Sequence, residues 1–484
     1  MRIGLCGLGL GLVATIAPVA SGSEERPPNL VFIMADDLGW TDLGCQGSTY
    51  YETPHLDRLA ARGMRFPHAT TAGPNCQPTR AALITGQYGP RTGIYTVGSI
   101  DRFDWRARPL RPVDNGESLD PNALTFAEAL KGAGYATGFF GKWHLGNGPS
   151  HPSRQGFDEA LVTTSTHFQF KTIPPVELED GVYQADFLTD RAVDFIERHR
   201  DAPFLLCVHH FGVHSPYQAK PDKIKRFQTK TGTARHNNPT YAAMIASVDD
   251  SVGRIVSKID EIGLDRETLI IFTSDNGGVG GYLREGLRRA NDVTDNAPLR
   301  GGKGMLYEGG IRVPFLACWT GQVPSGAVCD VPIQSVDLFP TLLELAGVTP
   351  PADAVLDGTS YADLLKTGRL ADGVERPALF WHFPGYLGAG GNQWRTTPVG
   401  SIRAGDWKLL EFFEDGHLEL YNLKEDPSET RNLAAEQPER AAQLHERLVA
   451  WRRAIHAPMP TPNRRIGQPG EEAVNASSEG VKSR

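Results

Sequence analysis

Cysteine is scarce in this 484-residue chain, with six residues, no C-x-x-C pair and no dense cluster. That excludes a thiolate zinc module and a fold stapled by disulfides. Basic charge is short as well: 57 Asp and Glu outweigh 49 Lys and Arg, for a formal net charge of −8. A chain without a basic field is not a general nucleic-acid binder, so any anion it holds must be met by a local cluster of cations. No long apolar run follows the N-terminal one, which argues against stable membrane insertion, and no internal repeat is found.

What is present is the composition of a soluble globular chain, 40% apolar and 22% charged, long enough for two or three domains. Met1-Arg2 and the Gly/Leu/Ala-rich run from Ile3 to Ala20 read as an export signal, with Ala20-Ser21-Gly22 suited to cleavage. Residues 1–22 are therefore expected to be removed, and the mature protein to be periplasmic or extracellular. Cys6 leaves with that segment. Cys207 lies in an apolar run and reads as a packed thiol, and Cys318 and Cys329 are left open as a pair, with free thiols favoured.

Four apolar runs, Asn29–Ala35, Tyr135–Phe140, Pro203–Val208 and Thr268–Thr273, read as strands buried on both faces, with helical stretches between them. Each run ends in chemistry: Asp36 and Asp37, Lys142 and His144, the loop from His209 to His214, and Asp275 with Asn276. The arrangement predicts a large, mostly parallel α/β sheet flanked by helices, with one functional edge where the strands end. Lys142 and His144 alternate past their strand and can point one way. His209 and His210 continue theirs and read as locally satisfied, which leaves His214 as the functional candidate. Gly302 and Gly304 let Lys303 approach a ligand closely.

Elsewhere the pattern is structural. Thr125 and Glu128 form a capping-box pattern. Ile245, Val248, Val252, Ile255 and Ile259 mark the core face of a long helix. The stretch from Tyr88 to Asn122 reads as an irregular connection. Beyond residue 358, Ala378–His382, Gly400–Leu410 and Leu418–Asn422 read as strands, followed by an amphipathic helix near Pro438–Ile455. A catalytic domain over 24–370 and a smaller C-terminal α+β antiparallel-sheet domain over 371–460 are expected. Residues 461–484 read as a disordered tail.

The stretch Asn75-Cys76-Gln77-Pro78-Thr79-Arg80 places a cysteine just before a short helix that Gly86 can end. Pro78 suits a first helical turn, so Cys76 lies at the positive end, where anions are favoured. The bland reading is a buried thiol beside a surface arginine. Asp36, Asp37, Asp275 and Asn276 offer hard oxygen donors, which suit calcium or magnesium rather than zinc. Calcium is favoured because it accepts several carboxylates and an amide without octahedral strictness. Arg80, Lys142, His144, His214 and Lys303 add positive charge and proton donors, a set suited to a dispersed anion.

Taken together, Ala35-Asp36-Asp37, Cys76-x-Pro78-x-Arg80 with Ala81-Ala82-Leu83-Ile84-Thr85-Gly86, Gly141 to Gly146, the His214 loop, Ser274 to Gly277 and Gly302-Lys303-Gly304 resemble a known family. They occur in the order seen in formylglycine-dependent, arylsulfatase-like sulfatases of the alkaline-phosphatase superfamily. Ile311–Phe315, Asp337–Leu343, Gly405–Leu409 and Leu420–Pro427 are also similar to that family. The resemblance implies an alkaline-phosphatase-like fold and hydrolysis of a sulfate monoester. It implies that a formylglycine-generating enzyme converts Cys76 to 3-oxoalanine (formylglycine), which acts as its hydrate. Calcium, with magnesium the other candidate, would bind Asp36, Asp37, Asp275, Asn276 and the Cys76-derived oxygen. Lys142 and Lys303 would neutralise the sulfate, and His214, helped by Lys303, would protonate the departing alcohol. Arg80 and His144 would orient the hydrate, with His144 then taking a proton from it.

Two departures are small: Thr79 stands where serine is commoner, and Gln87 where a basic residue is frequent. A phosphodiester or phosphonate monoester hydrolase of the same superfamily is the nearest alternative. A catalytically silent sulfated-glycan binder is another, should Cys76 stay unoxidised. Export and a surface rich in Trp381, His382, Tyr386, Trp394 and Arg395 favour a sulfated carbohydrate as substrate. The competing reading is that Trp381 and Trp394 pack between domains.

Overall fold

The computed structural model describes residues 26–288, 292–370, 376–390 and 393–464. The expected signal segment lies outside them. Five parallel strands form the centre: β1 (Asn29–Ala35), β2 (Ala136–Gly141), β3 (Glu159–Thr163), β4 (Phe204–His209) and β5 (Thr268–Ser274), in the spatial order β5-β1-β4-β2-β3. β6 (Phe315–Cys318) pairs antiparallel with β5, and three two-residue strands complete a nine-stranded sheet. β3 and β6 are absent from the sequence reading. β3 is only partly buried, with Leu161 and Thr163 inside, and β6 has only four residues, so neither carries a long apolar run.

β1 shows why the sheet is buried on both sides. Val31, Ile33 and Ala35 enter one core with Leu188, Phe195, Val248 and Val252, from the helices Gln184–His199 and Pro239–Glu261. Leu30, Phe32 and Met34 enter the other with side chains of the helices Cys76–Thr85, Phe126–Gly132 and Leu338–Leu345. Strand alternation thus feeds two cores from one strand.

The capping box forms as expected: Glu128 N–H donates to Thr125 Oγ1 at 3.1 Å and Thr125 N–H donates to Glu128 Oε2 at 2.9 Å. Thr125→Ala is expected to cost about 1–2 kcal/mol of stability, read from the urea midpoint, because it orphans a helix N–H at a buried position.

The C-terminal region is a four-stranded antiparallel sheet, Leu379–Phe383, Val399–Ala404, Trp407–Phe412 and Leu418–Asn422 in that spatial order. The single strand read over Gly400–Leu410 is therefore two. Gly405, at φ +58°, takes the left-handed backbone that the two-residue turn requires. One face packs Ile402, Leu409 and Leu420 against Leu444 and Leu448 of the helix Pro438–Ala454. The other packs Trp381, Phe383, Val399 and Leu410 against Leu306 and Ile311 of the large domain.

Trp381 is fully buried and donates from Nε1 to Thr71 O at 2.6 Å, and His382 is buried against Pro458 O. These two residues belong to the domain junction, not to an open surface. Thr461–Pro462 pairs with Leu110–Arg111, so the expected tail begins as structure, and its residues 465–484 lie outside those described. The 88–122 connection is otherwise short helical turns and irregular chain. Cys318 and Cys329 are free thiols. No helix among the described residues is long and apolar enough to cross a membrane.

Candidate active site

The carboxyl ends of β1, β2, β4 and β5 meet the start of the Cys76–Thr85 helix. Backbone bonds carry the ladder beyond the strands: Asp36 N–H donates to Gly212 O at 2.9 Å, Val213 N–H to Asp36 O at 2.7 Å, and Lys142 N–H to His209 O at 2.8 Å. The Lys303 loop closes the ring, with Lys303 N–H on Gly278 O at 3.1 Å and Gly304 N–H on Pro74 O at 2.7 Å. A Cβ at Gly302 would lie 2.0 Å from Gly280 O, so only glycine allows that approach. Trp143 is buried on Phe139 and Phe157 and anchors the segment between Lys142 and His144.

The helix begins at Cys76 itself, two residues before Pro78, and its whole sequence is buried. Cys76 Sγ lies 3.4 Å from Asp36 Oδ1 and 3.9 Å from Asp37 Oδ1. Donor atoms of Asp36, Asp37, Cys76 and His214 all fall within 4.8 Å of one another. Lys142 Nζ bonds Asp36, and Lys303 Nζ lies 2.6 Å from Asp37 Oδ1. Arg80 grips Asp275 Oδ2 through Nε at 2.9 Å and Nη2 at 2.7 Å, and Asp275 Oδ1 accepts Asp37 N–H at 3.2 Å. Asp275 is thus held by Arg80 and stands outside the four-residue cluster.

Charges so close shape one another. Burial alone would raise the Asp36 carboxyl, but Lys142, His214 and Arg80 outweigh it and hold it well below the ordinary range. Asp37 is lowered too, chiefly by Lys303 and His214 against burial. Burial and Asp36 push Asp275 up to about 6, against Arg80. Burial, Asp275 and Asp36 push the Cys76 thiol far up, so the anion-friendly helix start is overruled and unmodified Cys76 stays a thiol at neutral pH. Burial, then Lys142 and Arg80, drive His144 down to about 2, which leaves a neutral imidazole. His214 is lowered by burial, with Asp37 and Asp36 opposing.

Asp37 and His144 have φ of +66° and +64°, two non-glycine residues in left-handed backbone at the centre of the site. Tyr241 Oη donates to Asp37 O at 3.2 Å and to Asp42 Oδ2 at 2.7 Å, which helps hold Asp37 there. Asn276 Nδ2 donates to Asp37 Oδ1 at 2.8 Å, while its buried Oδ1 has no partner. An orphaned amide oxygen on a side chain that bonds Asp37 is a hard donor of the kind a divalent cation such as calcium or magnesium takes.

A cleft of about 600 Å³ opens over this centre, lined by Cys76, Lys142, His144, His214 and Lys303 and, farther out, by Tyr217 and Arg395. Asn75, Phe103, Phe211 and Tyr217 are lining residues that the sequence reading missed, because nothing local marks an aromatic or an amide as facing a cleft. His209 and His210 are buried, and His210 has no partner at either ring nitrogen, contrary to the expected local satisfaction. His209 Nδ1 is 3.4 Å from Arg80 Nη1 and its Nε2 is unpartnered. Both rings sit at the end of β4, where the sheet itself encloses them.

The chain is similar to known proteins. Residues 28–348 match the Sulfatase family and residues 302–454 the N-sulphoglucosamine sulphohydrolase, C-terminal family. A sulfatase of Formosa agariphila is 32% identical, over 92% of this chain and 93% of that protein. N-acetylgalactosamine-6-sulfatase of Mus musculus is 34% identical, over 84% of this chain and 76% of that protein. The crystal structure of Ps i-CgsB in complex with k-i-k-neocarrahexaose is similar at a TM-score of 0.72 and 28% identity, covering 88% of this chain and 93% of that one. The family match runs from β1 through the Cys76 helix to the Lys303 loop, the segments that build the cleft, and on that ground the chain belongs to the type I sulfatases of the alkaline-phosphatase-like superfamily and is a sulfuric ester hydrolase.

Proposed function

We propose that the protein is exported and hydrolyses a sulfate monoester on a carbohydrate, with a nucleophile made from Cys76 beside a bound calcium ion. The observation that carries this reading is that Cys76 lies against the carboxylates of Asp36 and Asp37, which in turn hold Lys142, Lys303 and the Asn276 amide, beside one cleft. Calcium on Asp36, Asp37 and Asn276, with Asp275 behind them, would neutralise sulfate charge, and the hydrated aldehyde that a formylglycine-generating enzyme makes from Cys76 would supply an oxygen nucleophile with a second hydroxyl.

The remaining steps fall to this chain's own residues. Lys142 and Lys303 present ammonium groups to the sulfate oxygens. Arg80, fixed on Asp275, orients the group at Cys76. His144 lines the cleft with Cys76 and has an unpartnered Nδ1, which is free to take a proton from the second hydroxyl once the anion bound there offsets the charge of Lys142 and Arg80. His214 and Lys303 serve the departing alcohol. Asp37 and Asp36 keep Lys303 protonated despite burial, so it can hold the proton that His214, lowered by burial, does not keep alone.

The size of the cleft and its Phe103 and Tyr217 lining support a saccharide. So do a relative named for N-acetylgalactosamine-6-sulfate hydrolysis and a solved relative holding a neocarrahexaose. The test is a panel of defined sulfated saccharides beside an aryl sulfate and an aryl phosphate diester. Turnover of at least one saccharide, lost by about 10²-fold or more on chelation and restored by calcium, is the expected result. Activity confined to aryl or lipid sulfates would overturn the carbohydrate reading, a preference for the phosphate diester would overturn the sulfate reading, and full activity in chelator would overturn the metal.

A further inference from the structure

The cations at the floor of the cleft are each matched by a carboxylate: Lys142 by Asp36, Lys303 by Asp37 and Arg80 by Asp275. Farther out the balance changes. Arg395 stands on the second strand of the hairpin Leu387–Gly390 and Gln393–Thr396 and lines the same cleft as Cys76 and His214. Among the described residues no carboxylate pairs with it, and its buried Nε has no acceptor. Its guanidinium lies 4.6 Å from the ring centroid of Tyr282, which is fully buried and donates from Oη to Lys303 O at 2.8 Å.

The neighbouring arginines differ. Arg108, near Trp394, pairs with Glu414, and Arg300 pairs with Glu285 at 3.1 Å. Both also lie against aromatic rings, Arg108 at 5.8 Å from Trp394 and Arg300 at 3.8 Å from Tyr307, so Arg395 stands apart in having the aromatic face without a carboxylate among the described residues. Stacking occupies the flat side of the guanidinium and leaves its in-plane N–H groups for a ligand. Arg102, from the segment before Phe103, lines the same cleft: among the described residues it has a contact to Val97 O at 3.5 Å and no carboxylate pairs with it.

We propose that Arg395 anchors an outer subsite that takes a second anionic substituent of the substrate, a carboxylate or a further sulfate, beyond the ester being cleaved. Arg102 adds positive charge to the same cleft. A planar guanidinium binds either oxyanion through paired N–H donors, so the shared chemistry is a resonance-stabilised oxyanion. The inference takes the sugar scaffold from the proposed function, whereas the anion is read from Arg395 itself.

The test uses matched substrate pairs on the full-length enzyme: an aryl sulfate with and without a ring carboxylate, and a monosulfated saccharide with and without a uronic acid or a second sulfate. The expected result is that wild type prefers the doubly anionic member. Arg395→Gln lowers that preference about tenfold or more, mainly through KM, and Arg395→Lys restores part of it. The uronic acid and second-sulfate arms show which anion is taken. An equal loss on both members of a pair, or an unchanged preference, overturns the subsite. Failure on every saccharide with the aryl pair still discriminated overturns the carbohydrate reading and leaves the subsite standing.

Discussion

Cys76→Ser is expected to lower kcat by at least about 10³-fold with no measurable change in the unfolding midpoint. Serine nearly matches the volume of cysteine, and the Cys76 thiol makes only long contacts to Asp36 and Asp37, so the fold loses almost nothing. The chemistry loses its starting point. Burial and the carboxylates of Asp275 and Asp36 hold this position uncharged, and a serine hydroxyl is a weaker acid than the thiol it replaces. A lone hydroxyl also gives His144 no second proton to remove, so an ester formed there would persist. The wild-type peptide should weigh less than its sequence mass by H₂S less one oxygen, the signature of the aldehyde. Wild-type kcat in the serine variant, or a fully active enzyme whose Cys76 peptide keeps the thiol mass, would refute the assignment.

The second large effect lies at the domain junction. Lys408 is fully buried and bonds Glu308 Oε1 and Glu429 Oε1, both at 2.9 Å. Arg312 holds the other oxygen of Glu308 at 2.6 Å, and Glu429 Oε2 accepts Glu308 N–H at 2.6 Å. Burial raises both carboxyls; Lys408 and Arg312 reverse that for Glu308 and hold it low, while Glu429 is pushed up to about 7. Lys408→Ala would leave two carboxylates facing each other without water, at an expected cost of about 3–5 kcal/mol.

The sign of the pH dependence follows from the same groups. Burial already holds Glu429 up at about 7, and without Lys408 it loses the cation that opposes this, so the variant's stability is kept at low pH and lost as pH rises through the folded pKa of Glu429. The urea midpoint of the variant should therefore fall further behind wild type at about pH 8 than at about pH 5. Glu308 opens the short helix that follows the Lys303 loop, so kcat should fall as well. A variant as stable as wild type at both pH values would show that the cluster does not join the domains.

Much of the site was legible because each part is local. An apolar run followed by Asp36-Asp37 or by Asp275-Asn276 identifies a buried strand and the polar groups at its end, and neither needs a contact distant in sequence. The expected α/β sheet and the smaller antiparallel domain are what the chain forms. The parts misread were those that local pattern does not encode. β3 is short and only partly buried, Gly405 splits one apparent strand in two, and Trp381, left open between a surface and a domain-junction reading, is placed at the junction only once the Thr71 carbonyl is brought to its indole.

The sequence by itself singled out Asp37, Cys76, Lys142, His144, His214 and Lys303, which line the cleft, because strand ends, a cysteine before a helix and glycines around a lysine are properties of neighbouring positions. Tertiary structure alone decided their charge states and reach. The helix start argues for an acidic thiol at Cys76, yet Asp36 and Asp275, forty and nearly two hundred residues away, raise it. Arg395 reaches the same cleft only because a separate antiparallel sheet docks there. Coulomb energy and desolvation depend on distance through space, and that distance is fixed by packing, not by position along the chain.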